Sequence, residues 1–70
     1  MDNFNLLDVV ALLHDLPGSN ITKGQVGTIV EKLDDNVFEV EFCYNKGETL
    51  AMETLHAKDL FLLNFELSGR

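Results

Sequence analysis

The sequence predicts a small all-β domain built from five short antiparallel strands. The clearest signal is a strict alternation of apolar and acidic residues, Phe38, Glu39, Val40, Glu41 and Phe42. A period of two is typical of a sheet with one buried face and one solvated face, so the three apolar residues are predicted to face the core. Clusters of Gly, Asn, Asp and Ser between the apolar segments supply the turns that such a sheet needs.

Two glycines mark the entrance to the second strand. Gly24 and Gly27 lie in the segment 23–31, KGQVGTIVE, which continues as a β-branched run. Glycine accepts positive φ and allows two backbones to approach closely, so the pair predicts a bend and a bulge where two chain segments nearly touch. A phosphate-binding loop is disfavoured, because such a loop precedes a helix and these glycines precede a strand.

The first apolar segment is compatible with a strand or with a helix. The β-branched Val9 and Val10 favour a strand, whereas the Ala and Leu residues that follow would suit a helix. We predict a turn over residues 3–7 and a strand over 8–14. The alternative is a helix over 6–16 packed on a three-stranded sheet.

The later elements follow from turn residues and alternation. Strands are predicted over 26–33, 37–42, 48–56 and 60–65, hairpin turns at 34–36 and 45–47 with Gly47 in the left-handed position, and a 3-10 turn over 57–59. A sheet this small would expose unpaired edges if it stayed open, so we expect it to close on itself as an SH3-like five-stranded antiparallel barrel. The barrel is predicted to span residues 1–66 as a single domain, followed by a flexible tail over 67–70.

The charge balance is strongly acidic. Twelve Asp and Glu residues outweigh five Lys and Arg residues, which gives a formal net charge of −7. Nucleic-acid binders need clustered Lys and Arg, so nucleic acid is disfavoured as a partner. The single cysteine, the acidic N-terminus and apolar runs far shorter than the about 20 residues that span a bilayer predict a cytoplasmic protein without a membrane segment.

Several runs in this chain match a known family pattern in order and at short spacing. They are LDVVALL over 7–13, DLP over 15–17, KGQVGTIVE over 23–31, FEVEF over 38–42, TLAM over 49–52 and TL over 54–55. The run over 23–31 is similar to the KOW-type strand entry of many small barrels. The chain as a whole resembles the bacterial family called domain of unknown function 4926.

The resemblance implies a short bacterial protein, of a kind common in cyanobacteria, with no agreed activity and no catalytic motif. Some members of the family look like the smaller partner of a two-gene cassette. That likeness implies an antitoxin-like or immunity-like binding role.

No pattern in the sequence indicates catalysis or a cofactor. Cys43 and His56 lie in successive predicted strands, but no third residue is recognisable as a group that would orient them, and cysteine is usually a buried apolar residue. The pairs His14-Asp15 and His56 with Asp59 lack the short, paired spacing of a zinc site. We therefore predict no enzyme activity, no cofactor and no functional metal.

An acidic protein-binding surface is the functional prediction that remains. The candidate partner-binding residues are Asp34, Asp35, Glu39, Glu41, Tyr44 and Glu53. Tyr44 with Phe61 or Phe65 would supply the apolar anchor that an interface needs. The expected partner is a protein, such as a basic product of a neighbouring gene, or a second copy that pairs with the edge strand over 60–65. The alternatives are a face that serves only solubility and a KOW-like module that binds RNA or the ribosome.

Overall fold

The computed structural model describes residues 4–43 and 49–63, which form one five-stranded antiparallel sheet. The strands are β1 (Val9–Leu12), β2 (Val26–Asp34), β3 (Val37–Cys43), β4 (Thr49–His56) and β5 (Leu60–Leu63), and a 3-10 turn, Ala57–Asp59, joins β4 to β5. Their order across the sheet is β4-β3-β2-β1-β5. The predicted all-β class, with five antiparallel strands and a 3-10 turn before the last, is confirmed.

The ambiguous first segment is a strand that pairs on both sides. β1 pairs antiparallel with β2 and with β5. A turn precedes it, in which the Asp8 N–H donates to the Asn5 carbonyl at 3.1 Å and Leu7 has a positive φ of 72°. A left-handed residue interrupts a helix, so the helical alternative is wrong. β1 is also shorter than the predicted strand over residues 8–14, since it begins at Val9 and ends at Leu12.

The core collects alternate residues from all five strands together with two residues from outside them. Its buried members are Phe4, Val10, Leu12, Ile21, Ile29, Phe38, Val40, Phe42, Leu55 and Leu60. The prediction that Phe38, Val40 and Phe42 face the core is confirmed. The rings of Phe4 and Phe38 lie 5.4 Å apart between centroids, at a tilted angle of 55°.

The hydrogen-bonded sheet is not closed. β4 and β5 are its two ends, and no ladder joins them in the part of the chain that the structure describes. We expected the sheet to close on itself into a barrel, and the structure corrects this expectation: the barrel is loose. The 3-10 turn connects β4 to β5. Buried side chains from both of these end strands, Leu55 and Leu60, belong to the same core.

The two glycines at the entrance to β2 have different structural roles. Gly24 has a φ of +88°, the left-handed region. A Cβ on Gly27 would lie 2.9 Å from the Glu41 carbonyl oxygen and equally close to atoms of the Val40 and Phe42 side chains. The bulges, however, are not at the glycines, since the β2–β3 register shifts between Ile29 and Glu31 and again between Lys32 and Asp34. Gly47 lies outside the described residues, as does the predicted domain boundary at residue 66.

Candidate protein-binding surface

Four carboxylates line the outer face of the β2–β3 hairpin. Glu39 and Glu41 alternate with the buried residues of β3, so their side chains lie on the solvent side of the sheet. The register places Glu31 of β2 opposite Glu39 and Asp34 opposite Val37. Directly opposed residues of antiparallel strands share a face. We call Glu31, Asp34, Glu39 and Glu41 the acidic strip.

Glu31 is the member of the acidic strip that sequence reasoning missed, and the two bulges in β2 explain why. An uninterrupted hairpin in which Asp34 opposes Val37 would place Lys32 opposite Glu39, an attractive pair. The bulges shift the register, so that Lys32 opposes Phe38 and Glu31 opposes Glu39. No pattern in the sequence marked the bulges, because the residues beside them have ordinary strand character.

Hydrogen bonds orient two members of the acidic strip. The Thr54 hydroxyl of β4 donates to Oε1 of Glu39 at 2.6 Å, a short charge-assisted bond. The backbone N–H of Asp35 donates to Oδ1 of Asp34 at 2.8 Å, which stabilises the turn between β2 and β3. Asp35 itself is exposed in that turn, at the end of the acidic strip.

Glu53 does not belong to this surface. It pairs with Val40, a buried residue, and its neighbour Leu55 is also buried, so Glu53 lies on the inner face of β4 and is half-buried. The prediction that it shares a solvated face with Glu39 and Glu41 is corrected. An inward-facing charge on an edge strand discourages pairing with another chain. Tyr44, the predicted anchor, lies outside the described residues, as does Phe65.

The cysteine and histidine considered for nucleophilic chemistry are far apart. Cys43 pairs with Thr49, whereas His56 pairs with Val37 at the other end of the same ladder. Val37 and Cys43 are six residue steps apart along β3, which corresponds to about 20 Å at about 3.3 Å per residue. Cys43 is also exposed, in contrast to the buried position expected of it. The two side chains therefore cannot act as a pair.

A histidine and an aspartate that are distant in sequence form an ion pair instead. Nε2 of His14 lies 2.8 Å from Oδ1 of Asp59, and Nδ1 lies 3.2 Å from the Asp15 carbonyl oxygen. Both partners are acceptors, so both ring nitrogens can donate only when the imidazole is protonated. The hydrogen bond to Asp59, with that to Asp15, raises the pKa of His14 above its usual 6.5. Burial alone would raise the pKa of Asp59, but bonds from His14 and from the His56 N–H outweigh it and lower that pKa.

We expect the His14–Asp59 pair to stabilise the fold most in mildly acidic solution. Its contribution is complete below pH 6.5 on the histidine side and is lost as pH rises through the raised pKa of His14. On the aspartate side the contribution is present above pH 3.8 and is lost as pH falls through the lowered pKa of Asp59. The melting temperature of His14→Ala should thus fall further below that of the unsubstituted protein at about pH 5 than at about pH 9.

Asp59→Asn provides the control for this prediction. Once Asp59 is neutral, replacement of His14 should have much less effect at either pH, because the main partner of the imidazolium is gone. The titration of the His14 ring, followed by NMR, should also have its midpoint above 6.5 in the unsubstituted protein. Equal losses for His14→Ala at both pH values would contradict the pairing.

The described residues show neither a metal centre nor a membrane span. Within 4–43 and 49–63, no three His, Cys, Asp or Glu side chains converge as metal ligands would. The same part of the chain holds no helix of the length and apolar character that would cross a bilayer.

Fold and surface together define a small, single-sheet β module with an acidic outer strip. The chain belongs to the family described as domain of unknown function (DUF4926), whose model matches residues 6–62, so the resemblance seen in the sequence is confirmed. Comparison with curated proteins and with solved structures gives no match.

Proposed function

We propose that this chain is a non-enzymatic interaction module whose acidic strip binds a basic surface of another protein. The observation that carries the proposal is the direct opposition of Glu31 and Glu39 across the β2–β3 ladder. Favourable cross-strand pairs in this position each contribute about 0.2–1 kcal/mol, whereas directly opposed like charges destabilise the sheet. A 70-residue domain has little stability to spare, so the pair is better explained by a cationic partner that relieves the repulsion than by solubility alone.

The charge of the whole chain supports the same proposal. A net charge of −7 attracts a cationic protein at long range, and the acidic strip would orient it on contact. A basic protein encoded by a neighbouring gene, with this chain in an antitoxin-like or immunity-like role in the cytoplasm, is the partner that the family resemblance suggests.

The distribution of lysines gives the RNA-binding alternative little support. Lys23 lies in the loop before β2, Lys32 in β2 and Lys58 in the 3-10 turn, so the lysines of the described residues are dispersed over three elements. Electrostatic binding to RNA is strongest at low salt. Tight, salt-sensitive binding of RNA in a low-salt titration would favour that alternative instead.

We expect Glu31→Gln to weaken partner binding and to stabilise the fold. The substitution removes the repulsion from Glu39, which should raise the free energy of unfolding by up to about 1 kcal/mol. It also removes a charge that the partner would contact. Tagged full-length chains can capture the partner from lysate, and quantitative mass spectrometry and denaturant unfolding would measure the two effects.

Glu53→Gln is the matched control for Glu31→Gln. This substitution changes the net charge by the same amount. Glu53 lies on the inner face of β4, however, so we expect the variant to capture the partner as the unsubstituted protein does. The captured protein should be basic and should elute at about 0.5 M salt, where the Debye length is only about 4 Å. Equal capture by both variants, or a captured partner that is acidic, would count against the acidic strip as the binding site.

A further inference from the structure

The outer face of the sheet is apolar over β5, β1 and the start of β2. Ala11 of β1 lies between Phe61 of β5 and Val26 of β2 in one cross-strand row. Phe61 is 57% exposed and Val26 is 48% exposed. Ala11 is half-buried between them, and its side chain is much smaller than those of its two neighbours. We call Phe61, Ala11 and Val26 the apolar groove.

The next row of the sheet joins the apolar groove to the acidic strip. This row consists of Leu63, Val9, Thr28 and Glu41, which are cross-strand neighbours from β5 through to β3. It changes from apolar to polar at Thr28 and to acidic at Glu41. Rows on one face of a sheet are about 7 Å apart, so the apolar groove and the acidic strip are parts of one continuous surface.

A large aromatic side chain that remains exposed on the same sheet face as a cluster of carboxylates is typical of a binding surface. Interfaces bury an apolar centre that often contains an aromatic residue, and polar groups surround it. Phe61 and Val26 fit the apolar part of such a surface, and Glu41 with Glu39 borders it on the β3 side, about 14 Å across the sheet from Phe61. A face that served only solubility would gain nothing from Phe61 and Val26 in adjacent positions.

We propose that the apolar groove and the acidic strip form one docking surface for a polypeptide segment that carries apolar side chains interspersed with Lys or Arg. This inference rests on the proposed function and deepens it by naming the chemistry of the partner. Charge complementarity selects this occupant over a second copy of the chain, because each copy carries a net charge of −7 and would bring a repelling surface. The apolar side chains occupy the groove and the cations contact the strip.

Three synthetic peptides of equal length test this proposal with the full chain. One alternates Lys with Leu, the second alternates Lys with Ser, and the third alternates Glu with Leu. Titrations of isotope-labelled protein followed by NMR give both the affinity and the residues contacted. The Lys–Leu peptide should bind most tightly and should shift the signals of Ala11, Val26 and Phe61 together with those of Glu39 and Glu41.

Matched variants separate the apolar groove from the acidic strip. Phe61→Ser and Val26→Ser should each weaken the binding affinity for the Lys–Leu peptide by about tenfold. This is the loss expected when one buried apolar side chain is removed from the interface. Leu33→Ser is the control, since Leu33 lies on the same strand as Val26 and has nearly the same exposure, 49%. It is about 23 Å further along β2, outside the apolar groove, and its substitution should weaken binding far less than the two groove substitutions do.

Four outcomes would overturn the inference. If Lys–Ser binds as tightly as Lys–Leu, or if Phe61→Ser and Val26→Ser both leave the affinity unchanged, the groove is not part of the surface, although the proposed function would stand. Equal binding of Glu–Leu and Lys–Leu would overturn the charge argument and the proposed function with it. A dimer in sedimentation that Phe61→Ser dissociates would assign the groove to a second copy.

Discussion

Phe38→Ala should leave most molecules unfolded at 25 °C. Phe38 is 1% exposed and contacts the Phe4 ring at the centre of the core. Truncation of a buried phenylalanine costs about 3–5 kcal/mol, because the transfer free energy is lost and a cavity remains. A single core in a domain of this size supplies about 3–5 kcal/mol in total. Circular dichroism and the dispersion of amide NMR signals would measure the loss.

Phe61→Ala provides the matched control for this substitution. It deletes the same atoms from a side chain that is 57% exposed, so its melting temperature should stay close to that of the unsubstituted protein. Because Phe38→Ala is expected to unfold most molecules, Phe38→Leu supplies an intermediate that keeps most of the apolar volume. Melting temperatures that are the same for all three variants would show that Phe38 does not anchor the core.

Gly27→Ala should destabilise the protein by about 3 kcal/mol, near the upper end of the cost of overpacking. The added methyl group would lie 2.9 Å from the Glu41 carbonyl oxygen, which belongs to the paired strand and cannot move without loss of the β2–β3 register. Side-chain atoms of Val40 and Phe42 are equally close. Denaturant unfolding at equilibrium would measure the loss.

Gly24 and Gly18 distinguish this steric effect from backbone strain. Both have positive φ, and an added Cβ would meet nothing within 4 Å. Alanine should therefore cost only about 1–2 kcal/mol at either position, and asparagine, which tolerates left-handed backbone, should recover part of that loss. Asparagine at Gly27 should be at least as harmful as alanine. A recovery by asparagine at Gly27 would contradict the close approach of the two strands.

Local patterns predicted the elements of this fold because each is encoded by neighbouring residues. The alternation around Val40 specifies β3 and its buried face, and the Asp-Asn turn specifies the hairpin before it. The first strand was harder to predict, since a short apolar run has no period of its own. Its pairing with both β2 and β5 decided it, and that pairing depends on residues about 15 to 50 positions away.

The candidate surface was only partly predictable, because it depends on register. The positions of Glu39 and Glu41 on the outer face were evident from β3 alone. Only cross-strand pairing shows that Glu31 lies on the same face and that Glu53 lies on the inner face. A shift of one residue moves a side chain to the other face, and the sequence does not reveal where a bulge produces that shift. The apolar groove likewise assembles from three strands.

By itself, the sequence determined the all-β class, the number of strands, the buried face of β3 and the acidic character of the chain, since these follow from composition and short-range periodicity. The tertiary structure alone decided that Glu31 opposes Glu39 and that Phe61 lies beside Ala11. It also decided that β4 and β5 do not pair with each other in the described part of the chain. The physical reason is that pairing between distant strands sets the register, and the register decides which side chains share a face.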